Sequence, residues 1–511
     1  MSVMEGKRLS APRVVLGVAV ASALAAGGVV GTQWWSARAD TPHAAPWTAG
    51  YVDVTATPTY AFEEGRSADH RDVVLSFVVA GKGGGCTPTW GTAYTMDEAA
   101  DRLDLDRRIA RLRQQGGDLA VSFGGQRNRE LAITCTDATE LAAAYGAVLD
   151  RYDTDTMDLD LEGAALADEA SSVRRAEAVA DLQRQRRAAG ESLAVWLTLP
   201  VAPTGLTEEG TTAVDRFLAA GVDLAGVNAM TMDYGAARGD ASMLRASEDA
   251  LTAVQRQLGV LYERRGTHLS DGTLWSKVGA TPMIGQNDVR DEVFTLDDAK
   301  ALNAFAHDRG VGRMSFWSAN RDATCGSNYV DVRMVSTACS GVAQGEATFT
   351  DVLGEGFDGA LNAGAGARTT PEPTETAQQD DPATSPYPIW QQSAAYLKGT
   401  KVTWHRSVYV AKWWTRGDLP DDPVLNAWET PWQLVGPVLP GDRPAPAPTL
   451  PAGTFPEWSG KTEYRKGDQV LLEGVPYEAK WWNQAASPAA ASVDPDGSPW
   501  RQLTIEQADA R

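Results

Sequence analysis

The segment Asp155-Thr-Met-Asp158-Leu-Asp160-Leu-Glu162 places four acids within eight residues, and the last three are spaced by two. Side chains on a strand alternate between faces, so Asp158, Asp160 and Glu162 share one face and Met157, Leu159 and Leu161 the other. The apolar reverse face calls for burial, which excludes a solvated charge run. Neighbouring buried carboxylates repel one another, and that repulsion holds a proton on one member. Such a trio suits general acid–base chemistry. A cluster that binds a cation or caps a loop is the competing reading. Asp155 has the opposite parity and is expected to support the start of the strand.

A strand can hold these acids only inside a larger sheet. Seven further apolar runs recur in residues 46–345, at 50–56, 73–80, 118–125, 193–200, 226–235, 278–285 and 312–319. Amphipathic stretches such as 96–115 and 171–189 lie between them. Near-continuous apolar strands alternating with helices imply a parallel sheet. Eight such units in roughly 300 residues predict an α/β fold of the (β/α)8 TIM-barrel type, with a doubly wound open sheet as the alternative.

Residues 366–386 and 438–454 are Pro-rich with little to bury, the composition of flexible linkers. They set off two small units, 387–437 and 455–504, expected to be all-β modules. Trp390, Tyr396, Tyr409, Trp413, Trp414 and Trp432 return as Trp458, Tyr464, Tyr477, Trp481, Trp482 and Trp500, each 68 residues later, as 390 becomes 458. One offset shared by so many aromatics marks a tandem duplication. Ten of the 17 Trp lie in these units, more rings than such small domains can bury, so some must be exposed. Exposed rings stack on flat sugar faces. The candidate contacts are Tyr409, Trp413, Trp414, Tyr477, Trp481 and Trp482. Strand parity predicts one ring in and one ring out within each adjacent Trp pair. Trp390, Trp432, Trp458 and Trp500 are expected in the core.

The net charge of −21 argues against nucleic acid and against an anionic membrane surface. Lys7, Arg8 and Arg13 precede an uncharged stretch at 14–31 and a small-x-small site at Ala37-Arg38-Ala39. Residues 1–39 therefore read as a signal peptide, with an uncleaved anchor over 14–31 as the alternative. Either places the bulk of the chain outside the cytoplasm, and membrane contact is expected only through that anchor. Four cysteines suit that compartment; they allow three connectivities, of which Cys86 with Cys135 and Cys325 with Cys339 is the one expected first. No Cys/His cluster has zinc spacing, so neither metal nor other cofactor is expected, and the chain is expected to be a monomer.

Asp155-x-x-Asp158-x-Asp160-x-Glu162 resembles the DxxDxDxE signature of glycoside hydrolase family 18, the chitinases and their relatives. Ser122-Phe123-Gly124-Gly125 is similar to that family's SxGG motif, and Trp317 stands where the family has the tryptophan floor of its cleft. The resemblance implies that Glu162 is the general acid and Asp160 holds the substrate's acetamido N–H. It implies that Asp158 shares a proton with Asp160, and that the acetamido oxygen attacks the sugar to give an oxazolinium intermediate. The family's Met-x-Tyr-Asp is altered here: Met232 stands in the Tyr position of Met230-Thr231-Met232-Asp233-Tyr234. By parity Tyr234 shares a face with Met230 and Met232 and is the candidate catalytic tyrosine. Asp233 falls on the other face unless the strand bulges. Met230, Asp233, Met283 and Gln286 are further cleft candidates.

The repeated Tyr-x-Ala-Lys-Trp-Trp resembles chitin-binding modules of carbohydrate-binding families 5 and 12. Together these resemblances imply a secreted, endo-acting chitinase whose partner is chitin or another N-acetylglucosamine polymer. An endo-β-N-acetylglucosaminidase and a non-catalytic chitin-binding lectin are the alternatives.

Overall fold

The computed structural model describes residues 45–508 except 65–66, 68, 330, 332–333, 364–368, 375–378, 445–448, 493–496 and 505–506. The leader expected at 1–39 and the anchor at 14–31 lie outside the described residues. Eight strands form the centre: β1 (Trp47–Asp53), β2 (Val73–Ala80), β3 (Leu119–Gly124), β4 (Thr156–Asp160), β5 (Ala194–Ala202), β6 (Gly226–Met230), β7 (Val278–Thr281) and β8 (Arg313–Phe316). Each pairs in parallel with the next, and β1 pairs with both β2 and β8, so the sheet closes into a barrel. Closure rules out the open-sheet alternative.

The strands bury both faces. Met157 and Leu159 of β4 pack outward against the helices, while Asp158 and Asp160 point inward. Side-chain caps start the surrounding helices, as at Thr95 with Glu98, Asp137 and Asp168. The helix predicted over 96–115 is two helices, Met96–Arg102 and Leu105–Gln114, because Asp104 between them takes a left-handed φ of 51°. The stretch predicted at 171–189 forms Glu169–Ala188. Low in the barrel, Trp47 meets Trp196 edge-on with ring centroids 5.7 Å apart, and the Arg313 guanidinium lies 4.9 and 5.4 Å from these rings. Both expected disulfides form, Cys86–Cys135 and Cys325–Cys339. Among the described residues no helix is long and apolar enough to cross a membrane.

The two C-terminal units are all-β, each with a three-stranded antiparallel sheet and a two-stranded ribbon. The first linker is tied down more than its composition suggests. Thr369 donates to Asp223, Glu372 accepts from Ser270 and Thr273, and Asp380 accepts from the amides of His405 and Arg406. Acidic side chains that have no core to join satisfy exposed amides instead.

Candidate active site

Alternation along β4 continues past its end, because Glu162 remains extended (φ −132°, ψ 159°) before Gly163 turns the chain. The three acids therefore rise through the barrel at successive depths. Asp158 is deepest and fully buried. Its Oδ1 accepts from the Thr198 hydroxyl at 2.7 Å and from Arg313 Nη1 at 2.6 Å. Its Oδ2 accepts from Tyr51 at 2.9 Å and Ser122 at 2.7 Å. Arg313 also donates to the hydroxyls of Tyr51 and Ser315, so the ion pair sits in a closed polar network.

Asp160 lies above this network and hydrogen-bonds with Glu162. Burial, then the charges of Glu162 and Asp158, hold its proton affinity well above that of an ordinary aspartate. Its Oδ1 is buried and has no protein partner. Burial also raises the proton affinity of Glu162. The hydrogen bond with Asp160 opposes that shift, and the charges of Asp233 and Asp288 add to it. The two coupled acids share a proton at the mouth of the barrel. The Ser-x-Gly-Gly segment makes room for them. A Cβ on Gly124 would lie 2.0 Å from the Asp160 carbonyl oxygen, and one on Gly125 would meet the Phe77 ring at 2.8 Å.

Around the acids is a cleft with an aromatic floor and thioether walls. Trp317 stacks on Phe77 with ring centroids 5.4 Å apart at 22°, and Met230, Met232 and Met283 line the sides. Asp233 and Asp288 complete the rim. Such a site can take an apolar-faced ring, protonate an oxygen leaving from it, and accept a hydrogen bond from an amide.

Over 290 residues the chain is 37% identical to "Probable bifunctional chitinase/lysozyme" of Escherichia coli K12, covering 55% of this chain and 31% of that protein. It is 36% identical over 284 residues to "Endochitinase 11" of Metarhizium anisopliae, covering 54% of this chain and 52% of that protein. The chain thus spans about half or less of these curated relatives. The crystal structure of the catalytic domain of a hyperthermophilic chitinase from Pyrococcus furiosus superposes with a TM-score of 0.52 at 27% identity, covering 62% of this chain and 98% of that one. Over about half its length the chain is similar to known chitinases. Residues 457–501 match the family model for carbohydrate-binding module family 5/12, and 387–437 is the repeat of that segment.

Of the residues expected from family 18, the structure brings Asp160, Glu162, Met230, Asp233, Met283 and Trp317 into the cleft. Tyr234 is not there. It is buried, donates its hydroxyl to Ser247, and packs in the helix-side core. The parity that favoured it fails because β6 ends at Met230 and Asp233 takes a left-handed φ of 49°. That turn swings Asp233 into the cleft, where it accepts from the Val289 amide. Met232 lines the cleft with it. Gln286 is also misplaced as a cleft residue: its amide is spent on backbone carbonyls, among them those of Asn287 and Arg290. Asp158 hydrogen-bonds to Tyr51, Ser122, Thr198 and Arg313, whereas Asp160 pairs with Glu162, so the expected Asp158–Asp160 contact is not made in this arrangement.

Sequence reasoning missed Tyr51, Thr198, Asp288 and Arg313. Arg313 left a signal: a lone cation opening an apolar strand needs a buried counter-charge. Asp288 left none, since it lies on the loop after β7. Its charge gives a testable consequence. Neutralising it in Asp288→Asn lowers the proton affinity of Glu162, so the acid form is lost at lower pH. The basic limb of the kcat/KM–pH profile should move down in pH, and an unmoved limb would remove Asp288 from the site's electrostatics.

In the modules, Trp390, Trp432, Trp458 and Trp500 are buried as expected. The one-in, one-out expectation fails. Trp413, Trp414, Trp481 and Trp482 are 43, 59, 45 and 59% exposed. The strands end at Ala411 and Ala479, so both pairs sit in bends where strand parity no longer applies. Lys412 and Lys480 lie over the Trp413 and Trp481 rings at 4.7 and 4.5 Å, the same arrangement twice. Tyr409 is half-buried, whereas Tyr477 is core and offers no open ring face.

Proposed function

We propose that this chain is a secreted, endo-acting chitinase that cleaves β-1,4-linked N-acetylglucosamine polymers with retention, through an oxazolinium intermediate formed by the substrate's own acetamido group. The observation that carries this reading is the buried, unpartnered Oδ1 of Asp160 beside Glu162 in an aromatic-floored cleft. An acetamido N–H is the donor that fits it. Hydrogen bonding to the ionised form favours that form, so the arriving N–H releases the shared proton to Glu162. Glu162 then protonates the glycosidic oxygen as the acetamido oxygen bonds to C1 and the leaving sugar departs. Glu162, now a carboxylate, takes a proton from the water that opens the oxazolinium ring. Asp160 stabilises the positive charge on the ring throughout. The names of the curated relatives, the family 5/12 match, the two disulfides and the leader-like N-terminus support substrate and compartment.

Proton NMR of chitohexaose digestion tests the reading. New reducing ends should appear first as the β-anomer, with internal bonds cut early. First-formed α-anomer would exclude the substrate-assisted route, and an uncleaved hexamer would exclude the activity.

A further inference from the structure

The two aromatic modules are not independent beads. Their buried side chains form one hydrophobic cluster that joins Trp390 and Trp432 of the first to Trp458 and Trp500 of the second. The Ala395 amide donates to the Ala485 carbonyl at 2.5 Å, and the Ser487 amide donates to the Ala395 carbonyl at 3.0 Å, extending the first module's ribbon onto the second. At Gly460 a Cβ would stand 2.4 Å from the Ser393 carbonyl oxygen.

The repeat itself is written for this seam. Ser393-Ala394-Ala395 faces the second module, and the equivalent positions 68 residues on (393 to 461) are Lys461-Thr462-Glu463, all exposed. On the other side Ala489-Ala490-Ala491 is buried, and its counterpart in the first module, Asp421-Asp422-Pro423, is exposed. The seam is small and apolar on both modules, whereas the matching positions are charged: Lys461 and Glu463 are exposed on the second module, and Asp421 and Asp422 of the first border the barrel helix that carries Arg256. The duplication has diverged into a closed pair, with charges blocking further stacking.

We infer that the pair is a single rigid unit with two binding sites, Trp413–Trp414 and Trp481–Trp482, held at one separation, and that its ligand is an ordered surface of N-acetylglucosamine polymer rather than a free chain. Rigid sites engage together only where the ligand repeats at matching spacing. A crystalline face does so, and a short soluble oligomer fills one site at a time. The inference rests on the chitin-binding reading of the modules.

The test uses the full chain carrying Glu162→Gln, so the polymer is not consumed. Ala395→Glu installs the residue that the second module carries at the same position, so the module fold tolerates it. Gly460→Val is a second way to open the seam. Each variant should bind crystalline chitin about tenfold or more weakly, near the level of the Trp481→Ala/Trp482→Ala variant. Affinity for soluble chitohexaose, read at the indole N–H NMR signals of Trp413, Trp414, Trp481 and Trp482 so that binding in the barrel cleft is not counted, should stay unchanged, which also reports that the modules remain folded. Hydrogen exchange at the Ser487 amide should be slow in the parent and fast in the seam variants. Undiminished binding to crystalline chitin once Ser487 exchanges fast would overturn the inference, as would a fast Ser487 amide in the parent. A parent whose module indoles respond to no hexamer and that does not bind the polymer through Trp481 and Trp482 would instead overturn the chitin-binding reading of the modules, with the seam still judged by exchange.

Discussion

Glu162→Gln should lower kcat on chitohexaose by about 10²–10⁴-fold, the contribution of a positioned general acid. The amide is nearly isosteric with the acid but has no proton to give. The loss should be in kcat, since the Phe77–Trp317 floor that holds the sugar is untouched. A chitobioside with an activated aryl leaving group needs little protonation and should lose far less. That contrast separates a missing acid from a collapsed site. Binding to crystalline chitin should be unaffected, because the exposed indoles lie on the modules. Equal kcat for the variant and the parent on chitohexaose would remove Glu162 from the chemistry, and with it the assignment of the cleft.

Arg313→Met should destabilise the barrel by about 3–5 kcal/mol, the typical cost of leaving one member of a buried ion pair uncompensated. The guanidinium is fully buried, 2.6 Å from Asp158, and packed against the Trp47 and Trp196 rings. Methionine restores much of the volume, so the loss is electrostatic rather than a cavity. The double variant Asp158→Asn/Arg313→Met should be more stable than Arg313→Met alone, since it removes the orphaned charge. Urea unfolding followed by near-UV circular dichroism measures both. Destabilisation of the single variant by less than about 1 kcal/mol would mean that Asp158 keeps its charge solvated by other means.

Much of the site was legible because β-strand periodicity is strict. Spacing by two put Asp158, Asp160 and Glu162 on one face, and an extended Glu162 preserved that order beyond the last ladder residue. The same rule misled wherever the strand had already ended. At Asp233 one left-handed residue exchanged the places of Asp233 and Tyr234 relative to expectation, while Met232 stayed with Met230 in the cleft. At both Trp pairs the bend after the strand turned all four rings outward. Strand ends depend on which backbone groups find partners across the sheet, and those partners are distant in sequence.

The sequence by itself determined the acidic strand, the strand–helix alternation and the tandem aromatic modules, because each is a local spacing or a self-comparison; closure of the barrel and the choice among three disulfide connectivities needed the tertiary structure. Only the tertiary structure decided what surrounds the acids. Tyr51, Thr198, Asp288 and Arg313 reach the site from β1, β5, the loop after β7 and β8, and barrel closure alone brings them together. It also decided that the modules share one core, since a seam between two folded surfaces depends on shape and register rather than on composition.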